Sequence, residues 1–176
     1  MQVRVDPSLA APSTPRRRAA LSIVLLLGIV ALAAVYRFAN LDLIRHSIDS
    51  SYPGYDALRM LDGHRLLLVG QWSSVFLDNP PFMGYLQAVP LLLWRSPWAV
   101  YAVIVTLNTV AVFFVYRSGR DLLGETVGLL AALLFAANPW IVHFSRPTWV
   151  QALVPLFTAI MAWGLWLSLT AERRAS

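Results

Sequence analysis

The fold is decided by an uncharged run near the start of the chain, Ala19-Ala-Leu-Ser-Ile-Val-Leu-Leu-Leu-Gly-Ile-Val-Ala-Leu-Ala-Ala-Val-Tyr36. A helix of about 20 apolar residues crosses the hydrocarbon core of a bilayer. The run therefore predicts a membrane-spanning helix. A cleaved signal peptide is the alternative, because the arginines 16–18 precede the run and small residues lie near its end. The length of the run and the further apolar runs favour a retained helix.

The composition indicates an integral membrane protein. Of the 176 residues, 58% are hydrophobic and only 13% are charged, whereas a soluble domain carries about 25% charged residues. All 14 basic residues are arginines, and many flank the apolar runs instead of forming a basic stripe on one folded face. This distribution excludes a nucleic-acid surface. The absence of cysteine excludes disulfides and thiolate metal sites.

The predicted fold class is an all-α integral membrane protein with four transmembrane helices. The spans lie at about residues 19–38, 98–116, 125–144 and 148–169. Arginines then concentrate on one side of the membrane, so the positive-inside rule places both termini in the cytoplasm and the protein in the cytoplasmic membrane. Residues 1–18 are a disordered cytoplasmic tail, residues 19–170 the membrane module, and residues 171–176 a second cytoplasmic tail.

A large extracytoplasmic loop, residues 39–97, follows the first span. Charged side chains recur in it at intervals of three residues: Asp56, Arg59, Asp62 and Arg65. This spacing predicts a short interfacial helix that ends near Gly63. The apolar stretch 82–94 contains a proline and is too short to cross a bilayer, so we expect it to lie in the membrane interface.

Three polar segments fall on the predicted outer side: 49–56, 78–81 and 143–146. A carboxylate such as Asp49 can act as a general base, and an arginine such as Arg146 suits a phosphate group. Acids with a histidine could also bind a divalent cation. Each segment has a plainer interpretation: a solvated or ion-paired acid, an interfacial anchor, or a rigid Asn-Pro-Pro turn.

The order of these segments resembles the N-terminal part of the GT-C superfamily of membrane glycosyltransferases. That superfamily includes protein O-mannosyltransferases and bacterial lipid A aminoarabinose transferases. Its members carry, after the first span, an outward loop with an acidic motif, then a helix, then a His/Asn-Pro-Pro-Leu-like element. The matching stretches here are Ile48–Gly63, Asn79–Leu86 and Gly128–Arg146. The resemblance covers roughly residues 19–169.

The resemblance implies a catalytic mechanism and a donor site. Asp49 matches the base that deprotonates an acceptor hydroxyl. That hydroxyl attacks the anomeric carbon of a sugar carried on a polyprenyl phosphate, with inversion. The residues implied in donor binding are Asp56, Arg59, Asp78, Asn79 and Arg146. Of these, Arg146 or Arg59 would contact the phosphate. The implied partners are membrane lipid and the lipid-linked sugar.

The chain departs from the family in two ways. Ser50 and Gln151 stand where many members carry acids, so we assign no metal ligand and no cofactor. Some members use a divalent cation, so binding of such a cation stays an open alternative. Members also have many more spans. We therefore expect one of two kinds of protein. The first is a fragment or module of an enzyme that needs a second subunit or a missing C-terminal half. The second is a non-catalytic membrane scaffold that binds lipid or a partner. No acid or arginine lies within the body of a span, which argues against a transporter.

Overall fold

The computed structural model describes residues 15–44, 47–63, 65–73 and 76–175. Within these ranges the chain forms seven α-helices: α1 Pro15–Phe38, α2 Ile48–Gly63, α3 Phe82–Leu93, α4 Pro97–Leu123, α5 Glu125–Ala137, α6 Pro139–Phe144 and α7 Val154–Ala175. Short 3-10 helices follow α1 and precede α7. The predicted N-terminal tail lies outside the described residues up to residue 14, and residues 15–18 already belong to α1. Residues 171–175, predicted as a second tail, belong to α7.

Three helices are long and apolar enough to cross a membrane: Arg16–Phe38, Pro97–Leu123 and Val150–Ala171. The all-helical membrane class is confirmed. The count of four spans is not, because α5 has only 13 residues and reaches about 20 Å at 1.5 Å per residue. A break at Asn138 separates α5 from α6, and together the two helices cover the predicted span 125–144.

The helix α4 is longer than the predicted span 98–116, because it continues to Leu123. Its last turns remain helical although they are charged, since Arg117 pairs with Asp121 one turn later at 3.2 Å. The helix ends at Gly124, whose φ of 99° is open to glycine and strained for other residues. The helix therefore continues beyond the predicted span.

Both predicted short helices of the outer loop are present. The helix α2 ends at Gly63, as predicted, so Arg65 lies beyond the helix; it begins at Ile48, before the repeat of charges starts. The helix α3 has 12 residues, too few to cross a bilayer. Its buried side packs on α4, where Ala88 and Leu91 join one core cluster with Ile104.

Two contacts at different positions along α4 show in which direction α7 runs relative to it. The Nδ2 atom of Asn108, in the middle of α4, donates to the carbonyl of Ala152 just before α7 begins. Nearer the end of α4, Asp121 accepts a hydrogen bond from Trp163 Nε1 of α7 at 3.0 Å. The two helices therefore run in the same direction.

A fully buried arginine ties the end of α1 to the end of α5. Arg37 Nη1 donates to the carbonyls of Ala33 at 3.3 Å and Ala136 at 3.4 Å. The Ala136 carbonyl needs this donor because the amide of Trp140, its normal helical partner, bonds instead to the side chain of Asn138. Toward their other ends, Val24 of α1 and Thr126 of α5 line one cavity, so the two helices run parallel.

The contact between α4 and α5 depends on a glycine and yields a first prediction. A Cβ atom at Gly128 would lie 2.7 Å from the carbonyl oxygen of Tyr116 and 2.8 Å from the amide nitrogen of Arg120. Because both are backbone atoms, we expect Gly128→Ala to destabilise the fold by about 1–3 kcal/mol. The matched control is Gly164→Ala, since a Cβ atom there has no neighbour within 4 Å.

Denaturant titration of the two variants in micelles, followed by tryptophan fluorescence, tests this prediction. Gly164→Ala should leave the midpoint unchanged or raise it slightly, because alanine is favoured over glycine inside a helix by about 0.5–1 kcal/mol. Equal midpoints for the two variants would show that α4 and α5 do not approach as closely as described.

Candidate functional site

Asp49 lies in the first turn of α2. The side chain of Ser47 caps this helix, because its Oγ accepts a hydrogen bond from the amide of Ser50 at 3.2 Å. An acid at this position is favoured by the helix dipole. The Asp49 carboxylate is exposed, and its Oδ1 accepts a hydrogen bond from Gln71 Nε2 at 2.8 Å.

Residues 65–73 and 76–81 run back along each other and bring the Asn-Pro-Pro element to Asp49. Trp72 and Asp78 form an isolated antiparallel bridge. The amide of Gly70 donates to the carbonyl of Asn79 at 2.8 Å, and the amide of Asn79 donates to the carbonyl of Gln71 at 2.9 Å. The side chain of Asn79 donates to the same Gln71 carbonyl at 2.9 Å. Asn79 therefore braces the segment that contacts Asp49.

Asp49 lies at the edge of a small pocket of about 180 Å³. Its lining combines one carboxylate, three side-chain amides, a hydroxyl, an aliphatic side chain and two indoles: Asp49, Gln71, Asn79, Gln151, Ser73, Val150, Trp72 and Trp149. These groups offer hydrogen-bond donors and acceptors next to aromatic rings. Among the residues that the structure describes, no three acid or histidine side chains gather into a metal-binding group.

Arg146 does not line this pocket. Its Nη2 donates to the carbonyl of Ala39 and, at 2.8 Å, to the carbonyl of Asn40, beyond the end of α1. Burial lowers the pKa of the Arg146 guanidinium below its usual range, and the nearby carboxylate of Asp42 opposes this shift. In this arrangement Arg146 ties the turn after α6 to the turn after α1.

The other predicted site residues also lie outside the pocket lining. Asp56 is half-buried on the side of α2 that faces α3. Arg59 is exposed, with its guanidinium 5.6 Å from the ring centroid of Tyr55. Asp78 is exposed on the returning segment. Of the six predicted residues, the structure thus brings Asp49 and Asn79 together.

A second cavity, of about 270 Å³ and mostly apolar, lies between α2, α3 and the start of α4. Two buried polar side chains that line it join its surrounding segments through hydrogen bonds. Gln87 Nε2 donates to the carbonyl of Thr148 at 2.7 Å, and Thr148 Oγ1 donates to the carbonyl of Ser50 at 2.8 Å. Sequence reasoning missed Gln71 and Gln87. A glutamine inside the apolar stretch 82–94 is the signal that could have identified Gln87.

A comparison with protein-family profiles supplies the family. Residues 78–176, more than half of the chain, match the family described as dolichyl-phosphate-mannose-protein mannosyltransferase. The chain belongs to this family. With its long apolar helices, membership makes it a multi-pass membrane protein of a GT-C-like glycosyltransferase family. No curated protein and no solved structure matches the chain significantly.

The matched segment covers only part of the pocket. Asn79 and the pocket residues 149–151 fall inside residues 78–176, whereas Asp49 and Gln71 come from the chain before them. The role of Asp49 therefore depends on its geometry and on the resemblance of the first outer loop.

Proposed function

We propose that the chain is a glycosyltransferase module that transfers a sugar from a polyprenyl-phosphate donor to an acceptor hydroxyl on the extracytoplasmic face of the cytoplasmic membrane. One observation carries the proposal: an exposed carboxylate, Asp49, shares a small pocket with three amides and two indoles in a chain of this family. The amides of Asn79 and Gln151 can hydrogen-bond sugar hydroxyls, and such polar groups beside aromatic rings are typical of small-molecule sites.

In the proposed reaction, Asp49 accepts the proton of the acceptor hydroxyl as its oxygen attacks the anomeric carbon. The bond from that carbon to the phosphate oxygen breaks, and the electron pair leaves with the polyprenyl phosphate. Attack opposite the leaving group inverts the anomeric centre. We assign Arg59 to the phosphate because its guanidinium is exposed. Asp56 and Asp78 would assist donor binding, and Arg146 could contact the phosphate only by exchanging its present carbonyl partners.

The donor class can be tested with one radiolabelled sugar supplied in two forms. The chain is assayed in native membranes, which retain any second subunit, and after purification. We expect transfer to acceptor from the polyprenyl-phosphate form and none from the nucleotide form, because the proposed leaving group is a lipid phosphate. Transfer from the nucleotide form alone would contradict the proposal.

A non-catalytic scaffold is the second candidate function. The observation that favours it is the use of the Arg146 donors within the fold, since an arginine committed to backbone carbonyls has fewer donors for a phosphate. Retention of a polyprenyl phosphate by the chain, without transfer under any of these conditions, would establish the scaffold instead.

The orientation in the membrane is a separate prediction. The shared direction of α4 and α7, with α1 and α5 running parallel to each other, supports four crossings with both termini in the cytoplasm. An enzyme reporter that is active only outside the cytoplasm should be active when fused after Gln71 and inactive when fused after Ser176. Activity after Ser176 would indicate that α5 and α6 do not cross the membrane.

A further inference from the structure

The carboxylate of Asp49 needs a partner that holds it in one orientation. It lies on an exposed first turn, where an aspartate side chain can adopt several rotamers. A general base must lie within about 2.6–3.2 Å of the oxygen atom whose proton it accepts, so free rotation would reduce the productive fraction. In the described part of the chain, one side-chain donor reaches this carboxylate: Gln71 Nε2, 2.8 Å from Oδ1.

The main chain of Gln71 is itself held in place by hydrogen bonds. Its carbonyl accepts two hydrogen bonds from Asn79, one from the amide and one from the side chain, both at 2.9 Å. The neighbouring Gly70 packs so closely that a Cβ atom there would lie 2.7 Å from the carbonyl oxygen of Pro80. The Asn-Pro-Pro element thus fixes the backbone of Gln71 and leaves the side chain to contact Asp49.

We propose that Gln71 is a positioning residue that couples the Asn79-Pro80-Pro81 element to the base. Its amide fixes Oδ1 of Asp49 and leaves Oδ2 to accept the proton of the acceptor hydroxyl. This inference rests on the proposed function, in which Asp49 is the base. It gives the Asn-Pro-Pro element a role in orientation, through the single side chain of Gln71, beyond forming a rigid turn.

The test compares four variants in the transfer assay: Gln71→Leu, Gln71→Glu, Leu77→Ala and Asp49→Asn. Because the bonds that shape the returning segment use the main chain of Gln71, both Gln71 substitutions should leave it folded. Unchanged thermal unfolding midpoints verify this. Leu77→Ala is the matched control, since Leu77 is 69% exposed on the same segment and does not line the pocket.

We expect Gln71→Leu to lower kcat by about 10- to 100-fold, as misplacement of a catalytic group does, while the KM for the donor stays unchanged. Gln71→Glu should lower kcat at least as much, because it replaces the donor with a like charge beside Asp49. Leu77→Ala should match the wild type.

Three outcomes would overturn the inference. An unchanged kcat in Gln71→Leu, with Asp49→Asn inactive, would show that Gln71 does not position the base and would leave the proposed function intact. A raised KM with unchanged kcat would make Gln71 a donor-binding residue instead. Full activity in Asp49→Asn would show that Asp49 is not the base, which would contradict both the proposed function and the role of Gln71.

Discussion

Replacing Asp49 with asparagine is expected to lower the rate of sugar transfer by about 100-fold or more, the contribution that a general base makes in many enzymes. Asparagine has nearly the same shape and can still bond to Gln71. It cannot accept a proton, so the acceptor hydroxyl would have to attack without a base. Initial rates at saturating donor and acceptor measure the effect on kcat.

Asp62→Asn is the matched control for this substitution. Asp62 lies on the same helix and pairs with Arg95 at 2.7 Å, but both side chains are about 60% exposed, and an exposed ion pair contributes little. The control should keep the wild-type rate. A loss of rate in both variants would indicate a general effect of removing acids from α2, and no specific role for Asp49.

The second large effect is expected at Asn108, which is fully buried in the middle of α4. The two N–H groups of its Nδ2 are shared among three carbonyls, those of Ile104 at 3.1 Å, Ser145 at 3.1 Å and Ala152 at 3.0 Å. The last two carbonyls belong to the turn that leads into α7 and carries part of the pocket. Loss of this amide would leave buried carbonyls without a donor, which is costly away from water.

We expect Asn108→Leu to destabilise the protein by about 1–2 kcal/mol, from roughly 0.6 kcal/mol for each interhelical hydrogen bond in a membrane protein and the cost of the carbonyls left unpaired. Asn108→Asp should destabilise it more, because a carboxylate would face three carbonyl oxygens. Thr106→Val is the control, since Thr106 is exposed and bonds only within its own helix. Unfolding in mixed micelles measures all three, and equal stability of Asn108→Leu and the control would contradict the role of Asn108.

Much of the fold could be predicted from the sequence because bilayer thickness imposes a length on each apolar run. Three of the four predicted spans correspond to long apolar helices. The helix ends were less predictable. The last turns of α4 contain the charged residues Arg117 and Asp121 and lie beyond the predicted span 98–116, yet the two side chains pair with each other and the helix continues to Leu123.

The site was only partly predictable, because its contacts join distant parts of the chain. Asp49 and Asn79 follow from the order of motifs, and the structure places both at one pocket. Gln71 lies 22 residues beyond Asp49 in a segment without helical or strand periodicity, so no spacing rule could pair them. The resemblance also implies that Arg146 contacts the phosphate, although its donors bind carbonyls of the turn after α1.

Amides within apolar runs were the signal that sequence reasoning passed over. Asn108 and Gln87 are buried at 0% and 2% exposure, and both bond to carbonyls of the turn between α6 and α7. A polar side chain inside an apolar run needs an internal partner. Such a residue therefore indicates where an irregular backbone segment packs against a helix.

The central claim is that the pocket of Asp49 transfers sugar on the extracytoplasmic face. The most direct measurement uses sealed right-side-out and inside-out vesicles, a polyprenyl-phosphate sugar in the lipid, and an acceptor that cannot cross the membrane. We predict transfer in right-side-out vesicles with the wild-type chain, and loss of that transfer in both Asp49→Asn and inside-out vesicles. Transfer confined to inside-out vesicles, or undiminished transfer by Asp49→Asn, would contradict the claim.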